Sequence, residues 1–177
     1  MNIFVTDLDP FVSARNLCDA HVVKMIVESC QLLSTHDRLN GKEEDRYKIT
    51  HVNHPCRKCL NNDSNYIWIQ YHLYGLLKEY TYRYEKIHKC QELYEKYWKR
   101  NDDEDLYFKK IDFIENYSEL IDTTAFPQCM PIQFKNNSTD IFNVVKAYRN
   151  YYHFKKEALK RWKYTNSNEP YWINQNA

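Results

Sequence analysis

Apolar positions recur at helical spacing along most of this chain, and the polar residues that interrupt them fall where helices would start and stop. Residues 2–6 form a short extended apolar segment. Residues 7–10 read as a turn, with Pro10 suited to the first position of a short helix that runs to about Leu17. Asp19 is placed to cap a long helix reaching about Leu39, which Asn40 and Gly41 stop. The charged residues 42–48 read as a solvated loop. Asp63 or Ser64 then caps a second long helix through about His88, and residues 90–100 are amphipathic. Residues 101–105 read as an acidic surface loop and 106–120 as a helix. Residues 123–137, with Pro127 and Pro131, read as irregular. A last long helix covers about 140–163, and the tail 164–177 either docks through aromatics such as Tyr171 and Trp172 or stays loose, docking being the expectation. The pattern predicts a mainly α, single-domain helical fold over residues 1–177.

Composition agrees with that architecture. Two glycines and five prolines in 177 residues leave little material for β-turns or a Gly-rich phosphate loop. A net charge of +1 gives no global field toward DNA, so nucleic-acid binding needs a local patch. Six irregularly spaced cysteines do not form a secreted disulfide framework. The start of the chain lacks the pattern of a signal peptide, and no stretch is apolar enough to span a membrane. The expectation is a cytoplasmic protein. Abundant Lys, Asn, Ile and Tyr fit an AT-rich genome, a viral one among others; for a viral protein the place would be the host cytoplasm.

The candidate chemistry begins on the first long helix. His21, Lys24, Glu28 and Gln31 interrupt an apolar run at steps of three, four and three, which puts them on one face. The helix dipole near His21 disfavours imidazolium, so a neutral ring could relay protons. Burial would raise the Glu28 pKa and Lys24 would lower it. The competing reading is an ordinary i,i+4 ion pair. On the second long helix, Asn65, His72 and Glu79 are seven apart, with Arg83 beyond. If that face meets the first, the pocket suits a phosphate- or sugar-bearing ligand; otherwise these are solvated polar positions.

A metal test on His51, His54, Cys56 and Cys59 argues against a site. All four lie within nine residues, and one tetrahedral site rarely closes over so short a chain. Buried thiols are the expectation, with no metal and no cofactor. The last helix carries Lys146, Arg149, Lys155 and Lys156 among tyrosines. That pattern fits a nucleic-acid backbone and its bases, or a surface helix balancing acidic residues.

The segment from Leu17 to Val23, with Asp19, His21 and a carboxylate at Glu28 seven residues after the histidine, resembles the endonuclease V family of pyrimidine-dimer DNA glycosylases. His54-Pro55 followed by a long helix is similar to an Asn-His-Pro element of bacterial relatives. The whole chain also resembles a set of phage and large-virus proteins in the stretches 21–26, 53–56, 64–66, 79–84 and 147–152. The glycosylase resemblance implies an all-α fold and a reaction at the glycosidic carbon of a nucleotide. It implies that an N-terminal α-amine attacks the sugar, that Glu28 steers the sugar chemistry and that His21 organises the site. Two departures matter. Asn2 is bulky, so Met1 is expected to stay and its amine to be the free one. Val27 and Gln31 replace basic residues near the family's carboxylate, which favours a nucleotide or single strand over duplex DNA.

The leading expectation is therefore an N-glycosylase acting on DNA, another nucleic acid or a nucleotide. Glu28, His21 and Met1 would be catalytic, and Lys24, Gln31, His54, Asn65, His72, Glu79 and Arg83 would line the site. The alternative is a non-catalytic nucleic-acid- or nucleotide-binding protein.

Overall fold

The computed structural model describes residues 1–42, 47–109, 126–138 and 140–174, and among them there is no strand. The helices are α1 (Pro10–Arg15), α2 (Asp19–Leu39), α3 (Pro55–Lys58), α4 (Asp63–Tyr84), α5 (Gln91–Tyr97), α6 (Asp103–Lys109) and α7 (Ile141–Ala158). The two long helices, α2 and α4, pack together, and α1 lies across α4. Gly75 permits that crossing: a Cβ there would stand 3.0 Å from the Ala14 Cβ and 3.3 Å from the Phe11 Cα. The core runs through Leu17, Val22, Met25, Ile26, Leu33, Trp68, Leu73, Leu76, Val144 and Tyr148, all buried.

Helix starts follow side-chain caps. Asp9 accepts from the N–H groups of Phe11 and Val12 ahead of Pro10, and Asp140 accepts from the N–H of Phe142. On α4 the cap is Asn62, one residue before the expected Asp63. Asp19 is not the cap of α2. The helix begins on it, Cys18 occupies the cap position without a side-chain bond, and the Asp19 carboxylate is used elsewhere.

That use is a buried charge cluster. Arg83, 2% exposed, donates from Nε to Glu79 and from Nη1 to Asp19 and the Leu17 carbonyl; Nη2 donates to the Arg15 carbonyl. Asp19 also accepts from the backbone N–H and hydroxyl of Thr165. Glu79 and Arg83 therefore do not line a cleft. They lock the α1–α2 corner to α4, and Thr165 ties residues just past α7 to the same point.

Other differences have equally local causes. α4 stops at Tyr84, short of His88, because Glu85 turns left-handed (φ 52°) and His88 packs edge-on against Tyr80. α7 stops at Ala158, short of residue 163, because Leu159 is extended. The chain then returns, bringing Trp162 to 4.9 Å from the Tyr152 ring and the Lys163 carbonyl onto the Asp19 N–H at 2.8 Å. The acidic residues 101–105 are not wholly a surface loop: Asp103 starts α6 fully buried, accepting from the Tyr94 hydroxyl and the Arg100 N–H. Of the helix expected over 106–120, residues 106–109 belong to α6 and the remainder lie outside the described residues. Asp37, near the end of α2, accepts from Tyr66 on α4 and from Trp98 beyond α5. No helix among the described residues is long and apolar enough to cross a membrane.

Replacing Arg83 with Met leaves Glu79 and Asp19 buried without their counter-charge. The expected cost is about 3–5 kcal/mol, read from urea denaturation at neutral pH. A loss below about 1 kcal/mol would show that the cluster does not hold the corner.

Candidate functional site

The first peptide of the chain lies on the carboxylate of α2. The backbone N–H of Asn2 donates to Glu28 Oε2 at 3.1 Å, while Lys24 Nζ approaches Oε1 at 3.4 Å from a side chain that is 62% exposed. The Glu28 side chain retains 15% of its surface, enough for one face to meet a ligand. Asn2 is itself held from two sides. Its Nδ2 donates to the Cys129 carbonyl at 2.9 Å, and its Oδ1 accepts from the Tyr148 hydroxyl at 2.9 Å. Tyr148 is buried on α7, and its single hydroxyl proton is shared between Asn2 Oδ1 and the Pro127 carbonyl, 2.6 Å away.

His54 reaches the same place from α3. It caps that helix, its Nδ1 accepting from the Cys56 N–H at 3.2 Å, and Pro55 fixes the first turn. Burial holds the His54 pKa below its ordinary value, helped by the Met1 amine and His51 and opposed by Glu28. The same amine bears on Cys56 and Cys129, whose sulfurs lie 3.4 Å apart. Cys129 is held down to about 7, first by its hydrogen bond with Cys56 and then by Lys135 and the amine, against burial. The N-terminal amine, Glu28, His54, Cys56 and Cys129 thus form one neighbourhood.

His21 sits beside this neighbourhood under a lid of aromatic rings. It is 5% exposed, stacks on Phe4 at 4.6 Å and bonds the Tyr152 hydroxyl through Nδ1 at 2.8 Å. Burial, then Lys155 and Lys24, push its pKa down to about 4, so the ring is neutral. The neutral form follows chiefly from burial rather than from the helix dipole. A ring sealed in this way orients its neighbours; it is poorly placed to pass protons to solvent.

The remaining candidates divide. Gln31 is half-buried on α2, one turn past Glu28. Asn65 is buried and donates to the Cys59 carbonyl at 3.1 Å, tying the end of α3 to α4. His72 is 1% exposed, stacked on Trp68 at 4.9 Å, and neither ring nitrogen has a partner among the described residues. It is a core residue, as Glu79 and Arg83 are. Lys155 lies over the rings of Phe4 and Tyr151, and Lys24 is close enough to lower its pKa in addition to burial. Lys146 is exposed beside a cleft of about 450 Å³ lined by Lys135, Asn136, Asn143 and Asn150. Arg149 is committed to Asp7 and the Thr6 carbonyl, and Lys156 to Glu169 and Asn174. Those two cations hold the N-terminus and the tail, so they are poor phosphate ligands.

Asn2, Cys129, Tyr148 and Tyr152 were not legible as site residues. The spacing Ile141, Val144, Tyr148, Tyr152 does carry a signal, because it is a buried stripe. The structure buries Tyr148 and Tyr152 in the core, so neither offers a face on which a base could stack. Cys129 stands alone between two prolines, and no local pattern marks it.

A family model described as pyrimidine dimer DNA glycosylase matches residues 1–92. No curated protein and no solved structure matches the chain.

Two buried histidines make stability depend on acidity in a definite direction. His21 and His72 titrate near 4 and 3 in the fold, against 6.5 ordinarily, with burial the leading cause for each. The unfolded chain takes up protons that the fold refuses, so stability is full above about pH 6.5 and falls as pH drops toward 4. Near pH 5 the two contribute a slope of about 2.5 kcal/mol per pH unit. His72→Phe should remove about half of that slope in urea titrations and raise neutral-pH stability by about 1–3 kcal/mol, since two orphaned nitrogens disappear. An unchanged slope would contradict this assignment.

Proposed function

The chain belongs to the pyrimidine dimer DNA glycosylase family, and from that membership we propose that it excises a base from DNA with Glu28 as the catalytic carboxylate. One observation carries the assignment: Asn2 N–H on Glu28 Oε2, which fixes a partly exposed carboxylate against the first peptide of the chain. In the proposed reaction the bond between the sugar C1′ and the base nitrogen breaks, and its electron pair leaves with the base, which takes a proton from solvent. Positive charge develops at C1′, and Glu28 stabilises it. A nucleophile then bonds to C1′ and gives its proton to Glu28. Water fills that role in the simplest form. The amine of Met1, one residue from the peptide on Glu28, offers a second nucleophile: its attack forms a C1′–N bond, and breaking of the C1′–O4′ bond, with the proton held by Glu28 passing to O4′, then yields the Schiff base.

His21 is a positioning residue in this scheme. Wedged between Phe4 and Tyr152, it fixes the extended N-terminal segment that delivers Asn2. Lys24 and Lys155 are the proposed phosphate contacts. Burial and then Lys24 lower the Lys155 pKa, and an anion between the two side chains would relieve that.

Glu28→Gln should lower base release by about a hundredfold or more while DNA binding is retained. Full activity in that variant would overturn the role given to Glu28. Borohydride added during turnover separates the nucleophiles: a covalent protein–DNA adduct assigns the amine, and an abasic product without adduct assigns water. Lys24→Gln and Lys155→Gln should each reduce the slope of log affinity against log salt by about 0.7–0.9. An unchanged slope would remove both from the DNA path.

A further inference from the structure

The metal test on sequence failed because its four residues were all local, and the fold replaces two of them. His51 is exposed and Cys59 donates its thiol to the Cys56 carbonyl, but Cys129 arrives from a segment 73 residues beyond Cys56. One ligand atom each from His54, Cys56 and Cys129 lies within 4.8 Å of the others. We propose that these three side chains bind a soft divalent cation, zinc by the chemistry of the donors, as a site separate from the glycosidic chemistry of Glu28.

The geometry favours a metal over a sulfur–sulfur bond. Bonds of about 2.3 Å from sulfur to zinc set the ligand sulfurs of a tetrahedron roughly 3.8 Å apart, whereas a disulfide needs about 2.05 Å. The observed 3.4 Å is much nearer the first value. The donors are also pre-positioned. His54 and Cys56 flank Pro55 in the first turn of α3, so their relative placement is fixed by a capped helix start. The Cys129 carbonyl is held by Asn2, and its N–H donates to the Tyr148 hydroxyl at 3.4 Å. Cys56 is fully buried and Cys129 only partly, which leaves a path for an ion to enter. Charge balance is favourable as well. Two thiolates and one dication form a neutral centre, so the ion adds no net positive charge beside the Met1 amine and Lys135. With three protein ligands, the fourth tetrahedral position falls to water.

Such an ion would join α3 to residues 126–138. Through the Cys129 carbonyl it would steady Asn2, and through Asn2 the carboxylate of Glu28. The role is that of a clamp, and the test therefore reads binding, with no dependence on excision.

The full chain, reduced and stripped of metal, is titrated with zinc against a chromophoric chelator, and its stoichiometry is read by native mass spectrometry. One zinc per chain is expected. Cys56→Ser and Cys129→Ser should each weaken binding at least about a hundredfold, while Cys90→Ser, which removes a thiol elsewhere, leaves it unchanged. Cobalt in place of zinc should give thiolate charge-transfer absorbance that Cys129→Ser diminishes. Far-UV circular dichroism checks that each variant keeps its helices, and His54→Gln substitutes, with the same expectation, for any that does not. Absence of stoichiometric zinc, or undiminished zinc in Cys129→Ser, would overturn the proposal.

Discussion

Arg83 is the fixed point on which the remainder of the fold depends. Its guanidinium has no solvent exposure and spends its N–H groups on two carboxylates and two backbone carbonyls. Those acceptors come from the end of α1, the start of α2 and α4 itself, so one side chain sets the angle between the helices. A guanidinium suits the position because its planar fork reaches several acceptors at once, which an ammonium could not. The direction in which α2 leaves that corner determines where Glu28 lies, two and a half turns later. The candidate site is thus aimed from a distance by a charge buried in the corner.

This dependence explains an asymmetry in what could be read from sequence. Helical periodicity revealed both long helices, because a stripe of Val, Met, Ile and Leu has one stable use in a soluble chain. Glu28 stood out as a candidate because a carboxylate sat in that stripe. The polar face of α4 was equally visible and was misread: Asn65, Glu79 and Arg83 serve buried structure, and His72 has no polar partner among the described residues. Spacing alone does not distinguish a polar residue facing a ligand from one facing a buried counter-charge. Helix ends were missed by a few residues where packing stopped the helix, as His88 on Tyr80 and Trp162 on Tyr152 do. Contacts between residues far apart in sequence, Asn2 with Cys129 and His21 with Tyr152, leave no local trace.

Charge in the site is arranged by exclusion as much as by pairing. Neutral imidazole at His21 occupies a position where a third cation would compete with Lys24 and Lys155. Phe4 stacks on that imidazole and passes under the Lys155 ammonium, so one ring both buries the histidine and supports the cation above it. The net charge of +1 is consequently no measure of what a phosphate would meet locally.

The segment that carries the family match supplies Glu28, His54 and Cys56, whereas Cys129, Tyr148, Tyr152 and Lys155 come from beyond residue 92. Asn2 bridges the two parts with three side-chain and main-chain bonds. Its side chain can be exchanged only for one that meets a backbone carbonyl and a tyrosine hydroxyl supplied by the far part. The two stretches must therefore diverge in step. A crossover that joined residues 1–92 of this protein to the distal stretch of a distant cousin would preserve the recognisable motif and lose the floor beneath it.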